Sequence, residues 1–157
     1  MSLISRSSEL LKSDIWDNDI AAHETLGAGT NGDKLDEFET CGYKCFIDRD
    51  LDTWTYCGYV QLPEKHLDYK KSYCYLSDEI KVHGGLTFGN DGLFGFDCQH
   101  TWDLSPYKMT MHTRDPEKFP VFGLMKTKPE MYHYWTYDEV KAEVISMAKQ
   151  FKARGAF

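Results

Sequence analysis

No stretch of the 157-residue chain is both long and apolar enough to cross a bilayer, which takes about 18 consecutive residues. Its first residues, Met1-Ser-Leu-Ile-Ser-Arg6, lack the continuous apolar region of a secretory signal, so the expected location is the cytoplasm. Positive charge is also scarce. Eighteen Lys and Arg face 25 Asp and Glu, for a net charge of −7. Long nucleic acid needs a basic footprint and is excluded as a partner, whereas a small nucleotide needs only local amides and one or two cations. A second cysteine pair is missing too. Cys41 and Cys45 are half of a zinc pattern without the other half, and read as a strand they lie on one face roughly 13 Å apart. The five cysteines (41, 45, 57, 74 and 98) are therefore expected as free thiols. Neither an HExxH metal motif nor a dinucleotide fingerprint occurs. Gly27-Ala-Gly29 has no strand ahead of it and its third glycine is misplaced, so it reads as a loop.

What remains is the composition of a folded protein, 41% hydrophobic and 15% aromatic, long enough to bury roughly 70% of its unfolded surface. Residues 1–39 read as an N-terminal extension: short helical turns within Ser7–Ile20, carrying Leu10, Leu11, Ile15, Trp16 and Ile20, then the glycine loop. Residues 40–157 read as a single domain. Alternation predicts strands over 41–47 and 54–62, joined by a polar hairpin loop at Asp48–Thr53. The triplet Cys-Gly-Tyr recurs at 41–43 and 57–59, as paired strands with similar demands would have it. A third strand is predicted over 79–88 and a fourth over 93–98, with Gly89-Asn90-Asp91-Gly92 supplying a tight turn. Residues 101–135 are expected to be mostly irregular because Pro106, Pro116, Pro120 and Pro129 interrupt them. Thr136 and Glu139 form a capping box ahead of an apolar face at Val140, Val144, Ile145, Ala148 and Phe151, which predicts a helix over 137–153. The expected fold is α+β: a small antiparallel sheet, a C-terminal helix packed on it, and long irregular loops.

Chemistry-bearing residues concentrate between 78 and 103. His83 precedes Gly84-Gly85, and paired glycines weaken a strand without adding packing. One reading is a close approach by substrate, with His83 an acid/base or a metal ligand; the other is a β-bulge with a hydrogen-bonded histidine. Asp97, His100 and Asp103 follow the core run Phe94-Gly95-Phe96, where a strand's side chains fan into loops. Together with His83 they could hold a divalent metal that activates water. Without metal, a carboxylate would orient a histidine that works as general base. The plainer reading has Asp97 or Asp103 capping a turn and His100 on the surface. His66 and Asp68 either complete this site from across the fold or decorate a loop. Thr87 and Cys98 are possible nucleophiles, although Cys98 reads better as a buried, inert thiol. Nothing ties His112 or His133 to the cluster. Tyr69, Tyr73, Tyr75, Trp102 and Tyr107 can stack a base or simply build core.

These segments resemble a family of small proteins encoded by bacteriophage and prophage genomes. The shared pattern is Cys57-Gly58-Tyr59-Val60, then Pro63 with His66, then Val82-His83-Gly84-Gly85-Leu86-Thr87, then Gly95-Phe96-Asp97-Cys98 with His100 and Asp103. The likeness runs from about residue 41 to 151 and departs at Leu67, where the pattern usually has proline. It implies a phage context and a shared site at His66, His83, Asp97, His100 and Asp103, but no particular reaction. Small phage accessory proteins often counter host defence, some of them by binding or cleaving nucleotide signals.

The leading expectation is a small hydrolase in the cytoplasm of an infected or lysogenic bacterium, cleaving a phosphodiester in a nucleotide or cyclic-oligonucleotide defence signal. His83, His100, Asp97 and Asp103 would be catalytic or share a divalent metal. Gly84, Gly85, Thr87, His66 and Tyr59 would contact the substrate. The alternatives are a protein that sequesters a nucleotide unaltered, and a protein-binding accessory in which the cluster holds loops together. Sheet edges leave room for a homo-oligomer.

Overall fold

The structure, a computed structural model, describes residues 15–23, 36–120 and 131–155. The Gly27–Gly29 loop, the first helical residues and Pro129 lie outside them. Helix α1 (Ile15–Ala22) is followed by strands β1 (Asp36–Thr40), β2 (Tyr43–Arg49) and β3 (Tyr56–Gln61), and then by a one-turn helix, α2 (Tyr73–Leu76). Strands β4 (Phe88–Asn90) and β5 (Leu93–Asp97) come next, then α3 (Pro106–Arg114) and α4 (Tyr137–Arg154). The strands form one antiparallel sheet in the order β1-β2-β3-β5-β4, so β1 and β4 are its edges among the described residues. The fold is α+β, as expected. No helix among the described residues is long and apolar enough to cross a membrane.

Two tight turns set the register. Asp91 and Gly92 both have positive φ (45° and 79°) between the paired Asn90 and Leu93, the mirror-image turn that matches strand twist. Cys41 and Gly42 (φ 56° and 80°) do the same between Thr40 and Tyr43. Cys41 is thus a turn residue and not the strand partner of Cys45. This turn also corrects the boundary placed at residue 39, which cuts through β1. That strand is short and acidic, and its pairing was hidden because its alternation is carried by one phenylalanine.

Alternation along β2 and β3 turns Cys45, Ile47, Tyr56 and Val60 to one face, all of them fully buried. Helix α4 lies on that face through Val140, Val144, Met147, Ala148 and Phe151, none of which is exposed. Gly58 lets the helix come close: a Cβ there would stand 2.5 Å from Val144 Cγ2 and 2.8 Å from Phe96 Cε1. Thr136 and Glu139 make both halves of the capping box. At the other end Arg154 grips the buried Asp68 through two bonds, Nε to Oδ2 at 2.7 Å and Nη2 to Oδ1 at 3.0 Å. Burial pulls the Asp68 carboxyl up, but Arg154 and Lys71 together hold it below the ordinary carboxylate range. Helix α1 belongs to the same body. Trp16 is buried, and Asp19 Oδ2 accepts from the hydroxyls of Tyr56 and Tyr134 and from the Tyr137 amide.

Two predicted elements differ. The strand over 79–88 is reduced to Phe88–Asn90, because Gly84 and Gly85 both take positive φ (69° and 81°) and no ladder passes through them. The region 101–135 contains a nine-residue helix, α3, which Pro106 begins instead of breaking. Proline at the first helical position loses nothing, since its missing N–H would be unpaired there anyway. Ser105 caps this helix by accepting from the Lys108 amide.

Asp48 fits the fold poorly. It lies on the sheet face away from α4, and its Oδ1 is buried without a hydrogen-bond partner among the described residues. Burial, with help from the Asp50 charge, pushes its carboxyl up to about 6. A raised carboxylate favours the folded state least when ionised, so its cost grows as pH rises from the unfolded value near 4 through 6. Asp48→Asn is therefore expected to stabilise the protein by on the order of 1 kcal/mol at pH 7.5, with the gain fading below pH 4 in urea titrations. Gly58→Ala is expected to cost about 1–3 kcal/mol in the same assay, through its collision with Val144.

Candidate functional site

The end of β5 delivers the chain into the candidate site. Asp97 closes the strand and caps the turn that follows, its Oδ1 accepting from the Gln99 amide at 3.0 Å. The chain then folds back so that Asp103 points inward, only 3% of its side chain exposed. The main chain at Asp103 bridges to His133, with Leu104 donating to the His133 carbonyl and His133 to the Trp102 carbonyl. From the other side come Val82 and His83, on the loop that the positive-φ glycines turn.

Three donors meet the Asp103 carboxylate. His83 Nε2 lies 2.8 Å from Oδ1 and 2.9 Å from Oδ2, His100 Nδ1 lies 2.8 Å from Oδ2, and the His100 amide lies 2.9 Å from Oδ2. An ionised carboxylate only accepts, so each of those ring nitrogens carries a proton. That fixes both neutral tautomers and leaves His83 Nδ1 and His100 Nε2 as the nitrogens with free lone pairs. The rings meet edge to face at 5.0 Å, and His83 stacks on Trp135 with centroids 4.0 Å apart. Below His100 there is no side chain at all: a Cβ on Gly84 would lie 2.1 Å from His100 Cε1. The glycine is required twice, by its φ of 69° and by the ring that occupies its place.

The two histidines differ in access. The His83 side chain is 18% exposed and that of His100 31%. His100, Asp103, Ser105 and Lys108 line a cleft of about 560 Å³, together with Lys118, Phe119 and Tyr132. Asp97 Oδ1 stands 3.8 Å from His100 Nε2, too far for a hydrogen bond. Cys98 is buried, and burial together with the Asp103 charge raises its thiol far above the ordinary range, so no thiolate forms there.

His83, His100 and Asp103 each offer a ligand atom, all within 4.8 Å of one another, and are the group among the described residues able to hold a metal. Asp97, expected as a fourth member, falls outside it. Ligands 2.0–2.2 Å from a tetrahedral zinc stand about 3.3 Å apart. The N···O distances of 2.8 Å are those of hydrogen bonds, so the set would have to open to admit a metal.

Several expected contributors are elsewhere. His66 is buried beneath the end of α4, with Nε2 donating to the Phe151 carbonyl at 2.9 Å and Nδ1 accepting from the Asp68 amide at 3.0 Å. It holds the helix end and takes no part in the cluster. Tyr59 lies on the open sheet face, its ring where a Gly95 side chain would be and edge-on to Phe88. Thr87 is exposed and its amide pairs with the Gly95 carbonyl. Gly85 neighbours Ser77. Conversely, Trp135, the His133 backbone and Lys108 were not singled out as part of the site. No spacing links residues 83 and 135, so only the fold could bring Trp135 to His83.

The Gly84 contact can be tested by nitrogen NMR of the imidazoles. Wild-type His100 is expected as the Nδ1–H tautomer. Gly84→Ala should abolish that signature, whereas Gly85→Ala, with its Cβ 3.0 Å from Ser77 Oγ, should keep it. Both should lose about 1–2 kcal/mol from the backbone alone, and Gly84→Ala more through its collision with the His100 ring, so the spectra are compared well below both melting temperatures.

No protein-family model matches the chain, and no curated protein or solved structure is significantly similar to it. The chemistry of the cluster thus rests on its own geometry.

Proposed function

We propose that this protein is a small acid–base hydrolase of a phosphate ester, with His100 as the working base. The observation that carries the reading is the buried Asp103 carboxylate holding the His100 Nδ1–H, which leaves Nε2 as the accepting atom at a cleft wall. A carboxylate behind an imidazole orients the ring and stabilises the cation formed when it takes a proton. His83 shares the same carboxylate and is a positioning residue, clamped between Asp103 and Trp135.

Water is the nucleophile that this arrangement supports. Ser105 donates its hydroxyl proton to the Thr53 carbonyl at 2.6 Å, and the Cys98 thiol is inert. In the step proposed, His100 Nε2 removes a proton from water and the resulting hydroxide attacks phosphorus. The P–O bond to the leaving group breaks, and the imidazolium returns its proton to the departing oxygen. Lys108 and Lys118 in the cleft favour an anionic substrate, and Tyr132 and Phe119 favour one with a flat apolar part. A nucleotide meets both demands, and the phage resemblance makes a host-defence nucleotide signal the natural setting, in the bacterial cytoplasm. Sequestration without turnover is the second reading, favoured because the His83–Asp103–His100 bonds are complete within the protein itself.

Incubation with a panel of nucleotides and cyclic oligonucleotides, with and without chelator, followed by denaturation and mass spectrometry, tests this directly. Hydrolysis products are expected, unchanged by chelator, with His100→Gln lowering the rate about 10²- to 10⁴-fold while circular dichroism shows the variant still folded at the assay temperature. Chelator-sensitive products would replace the base mechanism with a metal one at the same three residues. A compound retained but returned intact would make the protein a binder.

A further inference from the structure

The imidazole of His100 has a carboxylate beside each of its nitrogens. Asp103 Oδ2 lies 2.8 Å from Nδ1, and Asp97 Oδ1 lies 3.8 Å from Nε2. In the tautomer that Asp103 imposes, only the first of these is a hydrogen bond. The outer nitrogen turns a lone pair toward Asp97, and an ionised carboxylate has no proton to offer it. The base reading leaves that second carboxylate without a task. It is the natural partner of the opposite tautomer, with the proton on Nε2.

That opposite tautomer is the one a metal ion requires. His83, His100 and Asp103 each present a ligand atom, all within 4.8 Å of one another. Two imidazole nitrogens and a carboxylate oxygen suit zinc, with a fourth position left for water. A metal takes the lone pair of the nitrogen it binds, so the proton now on that nitrogen must leave. In a neutral imidazole it reappears on the other nitrogen, with no net proton gained or lost. His100 then carries its proton on Nε2, facing Asp97, and a ligating histidine commonly donates its outer N–H to a carboxylate.

The ligand set has to widen from 2.8 Å to about 3.3 Å, and one member has the freedom to give. Asp103 is 3% exposed and tied through the backbone to His133, and His83 is stacked on Trp135. His100 stands at the cleft wall with only Gly84 backbone beneath its ring. Its amide can keep Asp103 Oδ2 while Oδ1 turns to the metal. We infer that His83 Nε2, His100 Nδ1 and Asp103 form a zinc-type metal site supported from outside by Asp97, and that filling it exchanges the tautomers and withdraws the His100 base. The loss of the base rests on the hydrolase reading; the metal site does not. Once loaded, His100 Nε2–H can donate a proton but cannot take one from water.

The test titrates metal-free protein with zinc chloride at pH 7.5, followed by calorimetry and by nitrogen NMR of the imidazoles. One zinc is expected to move His100 from the Nδ1–H to the Nε2–H tautomer. His66, with both ring nitrogens already bonded, should stay as it is and serves as the internal control. Asp97→Asn keeps an oxygen for the Gln99 amide, and melting temperature checks its fold. It should weaken zinc about 10- to 100-fold. No zinc binding, or zinc that binds while His100 keeps its tautomer, as it would at the free thiols, would overturn the site. Unaltered affinity in Asp97→Asn would overturn the outer support. Where metal-free protein hydrolyses a nucleotide, one equivalent of zinc should stop turnover and chelator should restore it. Turnover raised by zinc would keep the site and overturn the loss of the base. Tautomer exchange without turnover in either form would keep the site and remove the hydrolase.

Discussion

A carboxylate with almost no access to water must be met by donors, and at Asp103 those donors come from separate parts of the chain. His83 arrives from the loop after α2, and His100 from the turn after β5. The chain around His133 closes the third side through the backbone on either flank of Asp103. None of these segments has a regular ladder of its own at this point. Their mutual placement depends on one ion being satisfied, and the imidazole tautomers follow from the same requirement. The position and the tautomer of His100 are thus two results of one buried charge.

The sheet and α4 supply the fixed frame. Helix α4 can sit close because Gly58 presents only backbone to Val144, and its ends are held by unlike devices. At the start, Asp19 collects tyrosine hydroxyls and the first helical amide; at the finish, Asp68 receives Arg154. Buried or half-buried carboxylates with matched donors recur at Asp19, Asp68 and Asp103. Asp48 breaks the pattern, and its raised pKa is the measure of that mismatch.

What could be read from the sequence followed from how local the responsible physics is. The Thr136–Glu139 box and the Asp91-Gly92 turn are decided within a few residues, and both are found as expected. His83, His100 and Asp103 were legible as a group because costly polar side chains cluster around glycines. Their partition was not. Whether a glycine pair ends a strand or bulges it depends on what packs beneath, and here the ring of His100 does. Pro106 misled because the same residue forbids a helix interior and favours a helix start. His66 misled for a different reason: a histidine in a loop looks available until the end of α4, some 85 residues away in sequence, is laid over it.

The sheet's free borders bear on how copies of this protein meet one another. Among the described residues, strand β1 pairs on one side only, and a strand's open side is the kind of surface that recruits a second sheet. Its sequence, Asp36-Glu-Phe-Glu-Thr40, places three carboxylates along five residues. Two such edges brought side by side would set like charges opposite one another, and the β4 border, three residues long, gives little to grip. The acidity of this edge guards the sheet against fibrous, edge-to-edge aggregation at high expression levels.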